Sequence, residues 1–441
     1  MTGTGAGEER TASASRAAGG RALGALYRAL TALGAGGGRI SHGVATLLAA
    51  RDCRDDLAER LSLPSHLDEL PDGALWIHAA SVGEVRSVAP LARELARLAA
   101  GVPQLVTTST PTGRRVARDE LGLPTRLAPW DSTGPVERFV AALRPRLHVS
   151  VETEIWPLRL GRLAAAGVPS ALVGARLSEE RWPLYRRLAG LYAPALSSFA
   201  LVSPTGPEDR DRLIALGVDQ AALRPGGSLK WDSAPDPPGA EETDAVRREL
   251  GLDPGTMWIV LGSVHPGEAG ALTAAILAGE PKVGVVVAPR HPRRFDAIAL
   301  ELARTGHSVH RASSGPSPSD ARIVLLDRLG VLPLVYPLAT AAVVGGTFVD
   351  IGGHSPLEAA AAACPLLAGP HIHKQRELIL PLSRAGALVQ VADAGGAGTT
   401  LRTWLADPDE RRRRGDAARA EVVRHRGQAA RLARSIAELL T

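Results

Sequence analysis

The sequence predicts an α/β protein built from two doubly wound domains joined by a linker. Short apolar runs alternate with helical stretches from Ala74 to about residue 202, and the alternation restarts at Trp258. Runs of this kind are typical of parallel strands that are buried on both faces of a sheet. Between the two series lies a polar stretch containing Asp236-Pro237-Pro238-Gly239, which indicates a linker. A chain of 441 residues is also long enough for two domains.

The predicted strands follow one another with helices between them. In the first domain we predict strands at Leu75–Ala79, Gln104–Thr107, Leu147–Val151, Ser170–Val173 and Phe199–Val202, and a helix at Gly83–Ala99. In the second we predict strands at Trp258–Leu261, Val283–Val287, Ile323–Leu326, Ala341–Val344, Leu366–Leu367 and Leu388–Val389, then one or two arginine-rich helices from Pro408 to Leu440. Ligands of such sheets bind at the carboxyl ends of the strands, and two domains facing each other would enclose a cleft.

The first 50 residues differ from the rest of the chain. Residues 1–20 are rich in Gly, Ala, Ser and Thr and are predicted to be disordered. Residues 21–50 contain no acidic residue and carry two short apolar faces separated by Gly36-Gly37-Gly38. Neither face has the roughly 18 consecutive apolar residues of a spanning helix. Two interpretations remain for residues 21–70: a weakly amphipathic segment on a membrane, or ordinary helices packed on the protein.

The composition favours anionic partners. The net charge of +5 fits nucleotides, phosphorylated lipids or a membrane surface, although an arginine-rich solvated surface has the same signature. Basic runs are not interleaved with aromatic residues, so no nucleic-acid module is predicted. Cys53 and Cys364 exclude a disulfide framework and suit a reducing cytoplasm. His371-x-His373 with nearby His354 is too weak a pattern to predict a metal site.

One glutamate follows the first predicted strand. Within Ser81-Val82-Gly83-Glu84, Gly83 permits a tight turn and Glu84 falls near the start of the next helix. The positive end of that helix favours an ionised carboxylate, as a general base requires. The alternative interpretation is a carboxylate that caps the helix and has only a structural role.

Two more glutamates follow the strand at Leu147–Val151. Alternation would point Glu152 and Glu154 the same way if the strand continued that far. One could accept hydrogen bonds from a substrate while the other caps a helix beginning at Pro157.

In the second domain, a glycine-rich segment from Gly345 to His354 follows the strand at Ala341–Val344. Its backbone N–H groups, with the helix start at Ser355-Pro356-Leu357-Glu358, predict an anion site, and Glu358 could reach ribose hydroxyls. The alternative is a plain strand–turn–helix junction. Arg290 follows a neighbouring strand, where a guanidinium suits a phosphate, and Lys230 is another cation before the linker.

Several segments together resemble one enzyme family. They are His78–Glu84, Thr107–Gly113, Glu152–Pro157, Ala175–Ser178, Ser228–Asp232, Gly262–Glu268, Pro289–Phe295, Gly345–Glu358 and Gly369–His373. These segments are similar to those of Kdo transferases, which move 3-deoxy-D-manno-oct-2-ulosonic acid (Kdo) from CMP-Kdo to lipid IVA, a lipid A precursor. The resemblance implies the GT-B fold of two Rossmann-like domains, inversion at the anomeric carbon, no cofactor and no metal. We accordingly expect the protein at the cytoplasmic face of the inner membrane, peripheral or weakly anchored.

The resemblance also assigns roles to residues. It implies that Glu84 is the base and that Glu152 and Lys230 support the transition state. It places CMP at Pro289, Arg290, Gly330, Val331, Leu332, Ser355, Pro356, Leu357 and Glu358. The acceptor would lie on the first domain, near Ser81, Gly83, Glu154, Arg114, Arg115 and Arg176. We accordingly expect an acceptor domain at 71–230, a linker at 231–245 and a donor domain at 246–441.

The sequence departs from the family pattern at three positions. The family usually has Glu where Val331 stands, and Asn where Ser355 and Gly174 stand. Two alternatives therefore accompany the predicted Kdo transfer. One is another GT-B enzyme, a UDP-sugar transferase or a UDP-sugar 2-epimerase. The other is a relative that binds lipid A without catalysis.

Overall fold

A computed structural model describes residues 24–32, 51–278, 280, 282–318 and 320–440, without the side chains of residues 51–54. The described chain divides into two compact units, which we call the first and second domains. The first contains the residues up to 233 together with those from 427 onward, and the second contains residues 234–426. Our predictions for residues 1–23 and 33–50, including the disordered tail and the Gly36–Gly38 break, lie outside the described residues.

The first domain is built on a parallel six-stranded sheet with the order β3-β2-β1-β4-β5-β6. Its strands are β1 Leu75–His78, β2 Gln104–Thr108, β3 Thr125–Leu127, β4 Leu147–Val151, β5 Ser170–Ala175 and β6 Leu201–Pro204. Its helices are α1 (24–32), α2 Arg51–Arg60, α3 Val82–Leu98, α4 Pro111–Val116, α5 Thr133–Leu143, α6 Pro157–Ala165, α7 Trp182–Arg187, α8 Ala189–Leu196 and α9 Pro207–Ala215.

The second domain has a parallel seven-stranded sheet with the order β13-β12-β11-β7-β8-β10-β9. Its strands are β7 Met257–Val264, β8 Val283–Pro289, β9 Val309–Arg311, β10 Ile323–Leu325, β11 Ala341–Val344, β12 Leu366–Ala368 and β13 Leu388–Gln390. Its helices are α10 Ala240–Leu250, α11 Ala269–Leu277, α12 Phe295–Ala303, α13 Leu332–Val335, α14 Leu357–Ala361, α15 Arg376–Arg384, α16 Ala394–Ala406 and α17 Pro408–His425, before α18 Gln428–Ala437 returns to the first domain.

Both faces of the first sheet are covered, as the apolar strands predict. Successive side chains of a strand point to opposite faces. Leu75 and Ile77 of β1 accordingly pack in the core layer that contains α3, while Trp76 packs in the opposite layer with Phe139 of α5. Among the described helices, none is long and apolar enough to cross a membrane.

Each sheet has a point at which the strand order reverses. In the first sheet the chain runs outward from β1 to β2 and β3, then returns to add β4 on the other side of β1. In the second sheet β7 and β11 are neighbours, with β8, β10 and β9 on the far side of β7 and β12 and β13 on the far side of β11. Ligands of doubly wound sheets bind in the crevice outside such points, because the connecting helices diverge there.

The structure corrects the sequence prediction in three places. β3 and β9 were not predicted, because each has only three residues and carries exposed or half-buried polar side chains. The linker region of 231–245 is not continuous coil, since α10 begins at Ala240. The end of the predicted donor domain is also wrong: α18 packs on α3 of the first domain, where Leu432 and Ile436 are buried.

Candidate active site

Glu84 lies in the first turn of α3, directly beyond β1. Ser81 is the N-cap residue, and its hydroxyl accepts the Glu84 N–H and donates to Glu84 Oε1 at 3.0 Å. The other oxygen, Oε2, accepts the Ala80 N–H at 2.7 Å. This arrangement is a variant of the capping box. Gly83 is the second residue of the helix, without a positive φ, so it does not form the tight turn that we predicted.

The pKa of Glu84 is raised from its ordinary value to about 7. Burial is the main cause, and the negative charge of Glu152 is the second, outweighing the hydrogen bond from Ala80. A carboxyl group with a pKa near neutrality can both take up and release a proton at physiological pH. Glu84 therefore has the ionisation that a general base needs, in addition to its place in the helix cap.

Glu152 follows β4, the strand beside β1 at the reversal of the first sheet. Its backbone has a φ of +57°, in the left-handed region that non-glycine residues rarely adopt. Such a conformation costs on the order of 1–3 kcal/mol and is concentrated at functional sites. Oε1 of Glu152 lies 3.4 Å from Nζ of Lys230, and both side chains are about one-fifth to one-quarter exposed. The structure thus brings Glu84, Glu152 and Lys230 to one edge of the first domain.

The short helical turn Leu229–Ser233 holds Lys230 in place. Leu229 and Trp231 are buried on either side of it. Asp232 accepts the backbone N–H groups of Gly427 at 2.5 Å and Ala429 at 2.6 Å, at the start of α18. The last helix of the chain therefore fixes the segment that carries the lysine.

Glu154 is fixed by hydrogen bonds. Its Oε2 accepts from Nε2 of His78 at 2.9 Å and from the indole N–H of Trp156 at 2.6 Å. Burial alone would raise the pKa of Glu154, but these bonds outweigh it and the pKa lies below its ordinary value. The Glu154 carboxylate is therefore ionised and hydrogen-bonded to His78 and Trp156. It differs in this from Glu84, whose pKa is raised.

The sequence did not predict the hydrogen bonds that join His78 to Glu154 and to Thr107. His78 is fully buried at the end of β1, where burial, with the nearby charge of Arg159, lowers its pKa to about 4. The ring is thus neutral and its Nε2–H points to Glu154. The Thr107 hydroxyl lies 3.0 Å from Nδ1 and accepts the Trp76 indole N–H at 2.7 Å. These hydrogen bonds hold the Glu154 carboxylate in one position. They depend on the pairing of β1 with β2, which places Thr107 beside His78 and which the sequence alone does not show.

Three arginines were predicted near an acceptor. Arg114 forms ion pairs with Asp56 and Glu59, each at 2.7 Å, and so joins α4 to α2. Arg115 is exposed on the next position of α4. Arg176 is half-buried beyond β5, where its backbone carbonyl accepts the Thr153 hydroxyl at 2.7 Å. Arg114 is therefore engaged by carboxylates, whereas Arg115 extends into solvent.

The predicted donor residues lie in the second domain, after β8, before α13 and at the start of α14. Pro289 ends β8, and the exposed Arg290 donates its backbone N–H to Val264 at 3.0 Å. Gly330 has a φ of +82° and precedes Val331 and Leu332, where α13 begins. Ser355 accepts the Leu357 N–H, Pro356 is the N-cap residue of α14, and Glu358 lies in its first turn. Burial raises the pKa of Glu358, while Arg290 opposes that shift.

The glycine-rich segment differs from the expected anion site. Its N–H groups at Gly346 and Phe348 donate to the carboxylate of Glu268, at 2.6 and 3.2 Å. Glu268 is 1% exposed and also accepts the N–H of His265 at 2.9 Å. The segment thus does bind a negative charge through backbone N–H groups, but that charge is one of the protein's own carboxylates.

A pair of histidines stands at the reversal of the second sheet. His265 follows β7 and His354 follows β11, and their Nε2 atoms are 2.8 Å apart. The two rings are nearly parallel, at 7°. Because 89 positions separate the two residues along the chain, nothing in the sequence pattern joins them. Within the described part of the chain, no three His, Cys, Asp or Glu side chains form a group that could hold a metal ion.

Solved structures with the same architecture identify the class of fold. A glycosyltransferase from Rickettsia africae superposes with a TM-score of 0.58 at 11% identity, covering 83% of this chain and 98% of that one. The UDP-GlcNAc 2-epimerase of Neisseria meningitidis, bound to UDP-GlcNAc, gives 0.56 at 11%, covering 83% and 99%. The two Rossmann-like domains thus have the GT-B fold, as the sequence predicted.

Comparison of sequences defines the family. Residues 55–233 match the family model of 3-deoxy-D-manno-octulosonic-acid transferase (kdotransferase). The 3-deoxy-D-manno-octulosonic acid transferase of Bordetella pertussis is 33% identical over 368 residues, covering 80% of this chain and 84% of the relative. The enzyme of the same name from Haemophilus influenzae is 29% identical, covering 86% and 90%. This chain belongs to the 3-deoxy-D-manno-octulosonic acid (Kdo) transferase family.

Proposed function

We propose that this protein is an inverting glycosyltransferase that moves Kdo from CMP-Kdo to a lipid A precursor such as lipid IVA, in lipopolysaccharide synthesis. Membership of the family supports the reaction class. The observation that carries the proposal is Glu84, whose pKa of about 7 arises at the reversal of the first sheet beside Glu152 and Lys230. Shifted carboxyl pKa values are concentrated at catalytic sites, which supports an enzyme over a non-catalytic relative.

In the proposed reaction, an acceptor hydroxyl oxygen attacks C2 of Kdo. Its proton passes to Glu84 as the new C–O bond forms. The bond between C2 and the phosphate oxygen breaks, and CMP leaves with the electron pair. Proton transfer to a positioned base contributes on the order of 10²–10⁴ in rate. Glu152 raises the pKa of that base and is itself paired with Lys230, so the two residues set the charge around the reacting atoms.

Donor binding is assigned to the second domain. Arg290 is exposed next to the sheet edge and interacts electrostatically with Glu358, so a guanidinium and a carboxylate are available together. A guanidinium suits the phosphate of CMP, and a carboxylate suits ribose hydroxyls. The other proposed donor residues are Pro289, Gly330, Val331, Leu332, Ser355, Pro356 and Leu357. We propose that neither metal nor cofactor takes part.

Acceptor binding is assigned to the first domain, with peripheral association at the cytoplasmic face of the inner membrane. Helix α1 is joined to this domain by the Tyr27 hydroxyl, which donates to Asp131 at 2.8 Å. Leu26 and Leu30 of that helix are 54% and 58% exposed. Exposed leucines together with a net positive charge suit an anionic lipid surface. Arg115 and Arg176 are proposed to meet phosphates of the acceptor.

The proposal is tested by incubating the protein with lipid IVA and either CMP-Kdo or a panel of UDP-sugars, with mass spectrometry of the lipid. We expect a mass increase of one or more Kdo units with CMP-Kdo alone, unaffected by a chelator. Transfer from a UDP-sugar, or epimerisation of one, would favour another GT-B enzyme. Binding of labelled lipid without release of CMP would favour the non-catalytic alternative.

A further inference from the structure

The proposed reaction assigns no role to the histidine pair of the second domain, His265 and His354. His265 directly follows β7, and His354 ends the glycine-rich segment that follows β11; the order of the second sheet reverses between these two strands. Ligands of doubly wound sheets bind outside this point. Arg290, which we assign to the donor phosphate, follows β8, the next strand, and donates its backbone N–H to the residue before His265. The pair therefore stands where a donor phosphate is expected.

The geometry of the pair limits how many protons it holds. With 2.8 Å between the Nε2 atoms, one ring donates a hydrogen and the other must accept it. Two neutral rings satisfy this bond. One extra proton is also compatible, because an imidazolium can donate to a neutral ring while the outer Nδ1 atoms carry the remaining hydrogens. A second extra proton would place two donors face to face, so the pair can take up one proton and no more.

The surroundings keep that extra proton off the pair in the absence of an anion. Burial, then the nearby His265 ring, lowers the pKa of His354 to about 4, and burial with the nearby His291 ring also lowers the pKa of His265. Three cationic side chains, Arg290, Arg294 and Lys374, face the pair together with the His291 ring. The carboxylate that contacts this region, Glu268, is already engaged by three backbone N–H groups.

We propose that the His265–His354 pair takes up one proton when a nucleoside monophosphate binds the second domain. This inference rests on the proposed function, which supplies the anion. A phosphate dianion beside the pair attracts an imidazolium and so opposes the repulsion by Arg290, Arg294 and Lys374. Transfer of the sugar also leaves the phosphate with one more negative charge than it has in the donor. The proton comes from solvent, and it stabilises CMP once the bond to the sugar has broken.

The test is calorimetry of CMP binding to the full chain at pH 7 in buffers with different ionisation enthalpies. The dependence of the observed enthalpy on the buffer gives the number of protons exchanged. At this pH roughly a tenth of free CMP still carries its second proton, since that pKa is about 6, so the ligand itself can only release protons. We expect net uptake of about 0.9 proton by the native protein, one proton gained by the pair less about a tenth released by the ligand. His354→Gln and His265→Gln should lose the uptake, whereas His307→Gln, a control in the same domain, should keep it.

The outcomes separate this inference from the function on which it rests. CMP binding without proton uptake would overturn the inference alone. Absence of CMP binding would overturn the proposed donor and the inference with it. In case the variants fold poorly, nitrogen chemical shifts of the histidine rings in the native protein provide a second measurement. One or both rings of the pair should titrate at higher pH with CMP than without it, and unchanged titration would refute the proposal.

Discussion

In the proposed mechanism, Glu84 combines two roles that its sequence position presented as alternatives. Its carboxylate caps α3 together with Ser81, and the same burial that accompanies the cap raises its pKa to about 7. A hydrogen-bonded cap fixes the carboxylate in one orientation, which is a requirement for a base that must meet a particular hydroxyl. The structural role therefore prepares the catalytic one instead of excluding it.

The first prediction concerns the pH dependence of the reaction. Since the base must be ionised, kcat/KM should rise with pH and level off above about 7. Glu152→Gln removes the negative charge that, after burial, contributes most to the raised pKa of Glu84. The carboxylate form of Glu84 becomes easier to reach, so the rising limb should move to lower pH. A limb that stays in place or moves to higher pH would show that another group controls the profile.

A second prediction concerns Arg290. Its side chain is exposed, so Arg290→Ala should leave folding intact while weakening CMP binding by about 1.5–3 kcal/mol, the scale of a hydrogen bond to a charged group. Arg293→Ala provides a matched control, because Arg293 is also exposed and lies three positions further along the chain. Calorimetry should show the loss for Arg290 only. Equal affinities in both variants and the native protein would refute the assignment.

The positions that the sequence predicted best are those that directly follow buried strands. The ends of β1 and β4 could be read from the chain, and with them Glu84 and Glu152. The bonds that tune these residues could not be predicted, because they join distant segments. His78 and Glu154 are 76 positions apart in the chain. The left-handed backbone of Glu152 could not be predicted either, because glutamate does not favour that conformation.

At the scale of elements, α18 links the end of the chain to the candidate active site. Its arginine-rich sequence predicted a helix but gave no indication of the domain on which it packs. Two observations decide that question: the burial of Leu432 and Ile436 against α3, and the hydrogen bonds of its first turn to Asp232. Because Lys230 precedes Asp232 by two residues, the helix also stabilises the position of the lysine.

The third prediction tests this link. Asp232→Ala removes the acceptor for two N–H groups at the start of α18 and should lower the free energy of unfolding by about 0.5–2 kcal/mol. It should also lower kcat, because Lys230 loses its support. Asp219→Ala is the control, since Asp219 caps the short helical turn Gln220–Ala222 and has no part in holding α18. Denaturant unfolding and turnover are measured for both; a kcat loss of the same size in the control would contradict the link.

Short elements escaped prediction for a physical reason. Strands β3 and β9 pair with only one neighbour each, at edges of their sheets, so few of their side chains need to be apolar. The glycine-rich segment was predicted as a binding loop, and its N–H groups do bind an anion. The ligand proved to be Glu268, which no spacing rule connects with Gly346 across 78 positions.

At the scale of the whole molecule, the alternation of strand and helix was enough to predict two doubly wound domains. The hydrophobic pattern fixes which segments are buried on both faces, and parallel connections allow few topologies. Burial of the strands against helices on both sides therefore follows from the sequence. The return of the last helix to the first domain does not, because an amphipathic helix carries no information about which apolar surface will cover it.

A fourth prediction concerns the association of the whole chain with membranes. Exposed Leu26 and Leu30 and the net charge of +5 should make binding depend on anionic lipid and weaken with salt. The full chain should sediment with anionic vesicles at low salt, and deletion of residues 1–50 should reduce this while CMP binding persists. Sedimentation that responds neither to lipid charge nor to the deletion would mean that another surface meets the acceptor.

The central claim is that Glu84 takes the proton from the acceptor. Glu84→Gln is the most direct test, because glutamine can still accept the Ala80 N–H but cannot act as a base at neutral pH. The control is Glu94→Gln on the same helix, because the Glu94 carboxylate forms a surface ion pair with Arg97 at 3.0 Å. With CMP-Kdo and lipid IVA, we predict that kcat falls by on the order of 10²-fold or more for Glu84→Gln, with CMP affinity and folding unchanged, and stays near native for Glu94→Gln. Near-native turnover of Glu84→Gln would contradict the account and transfer the role of base to Glu152.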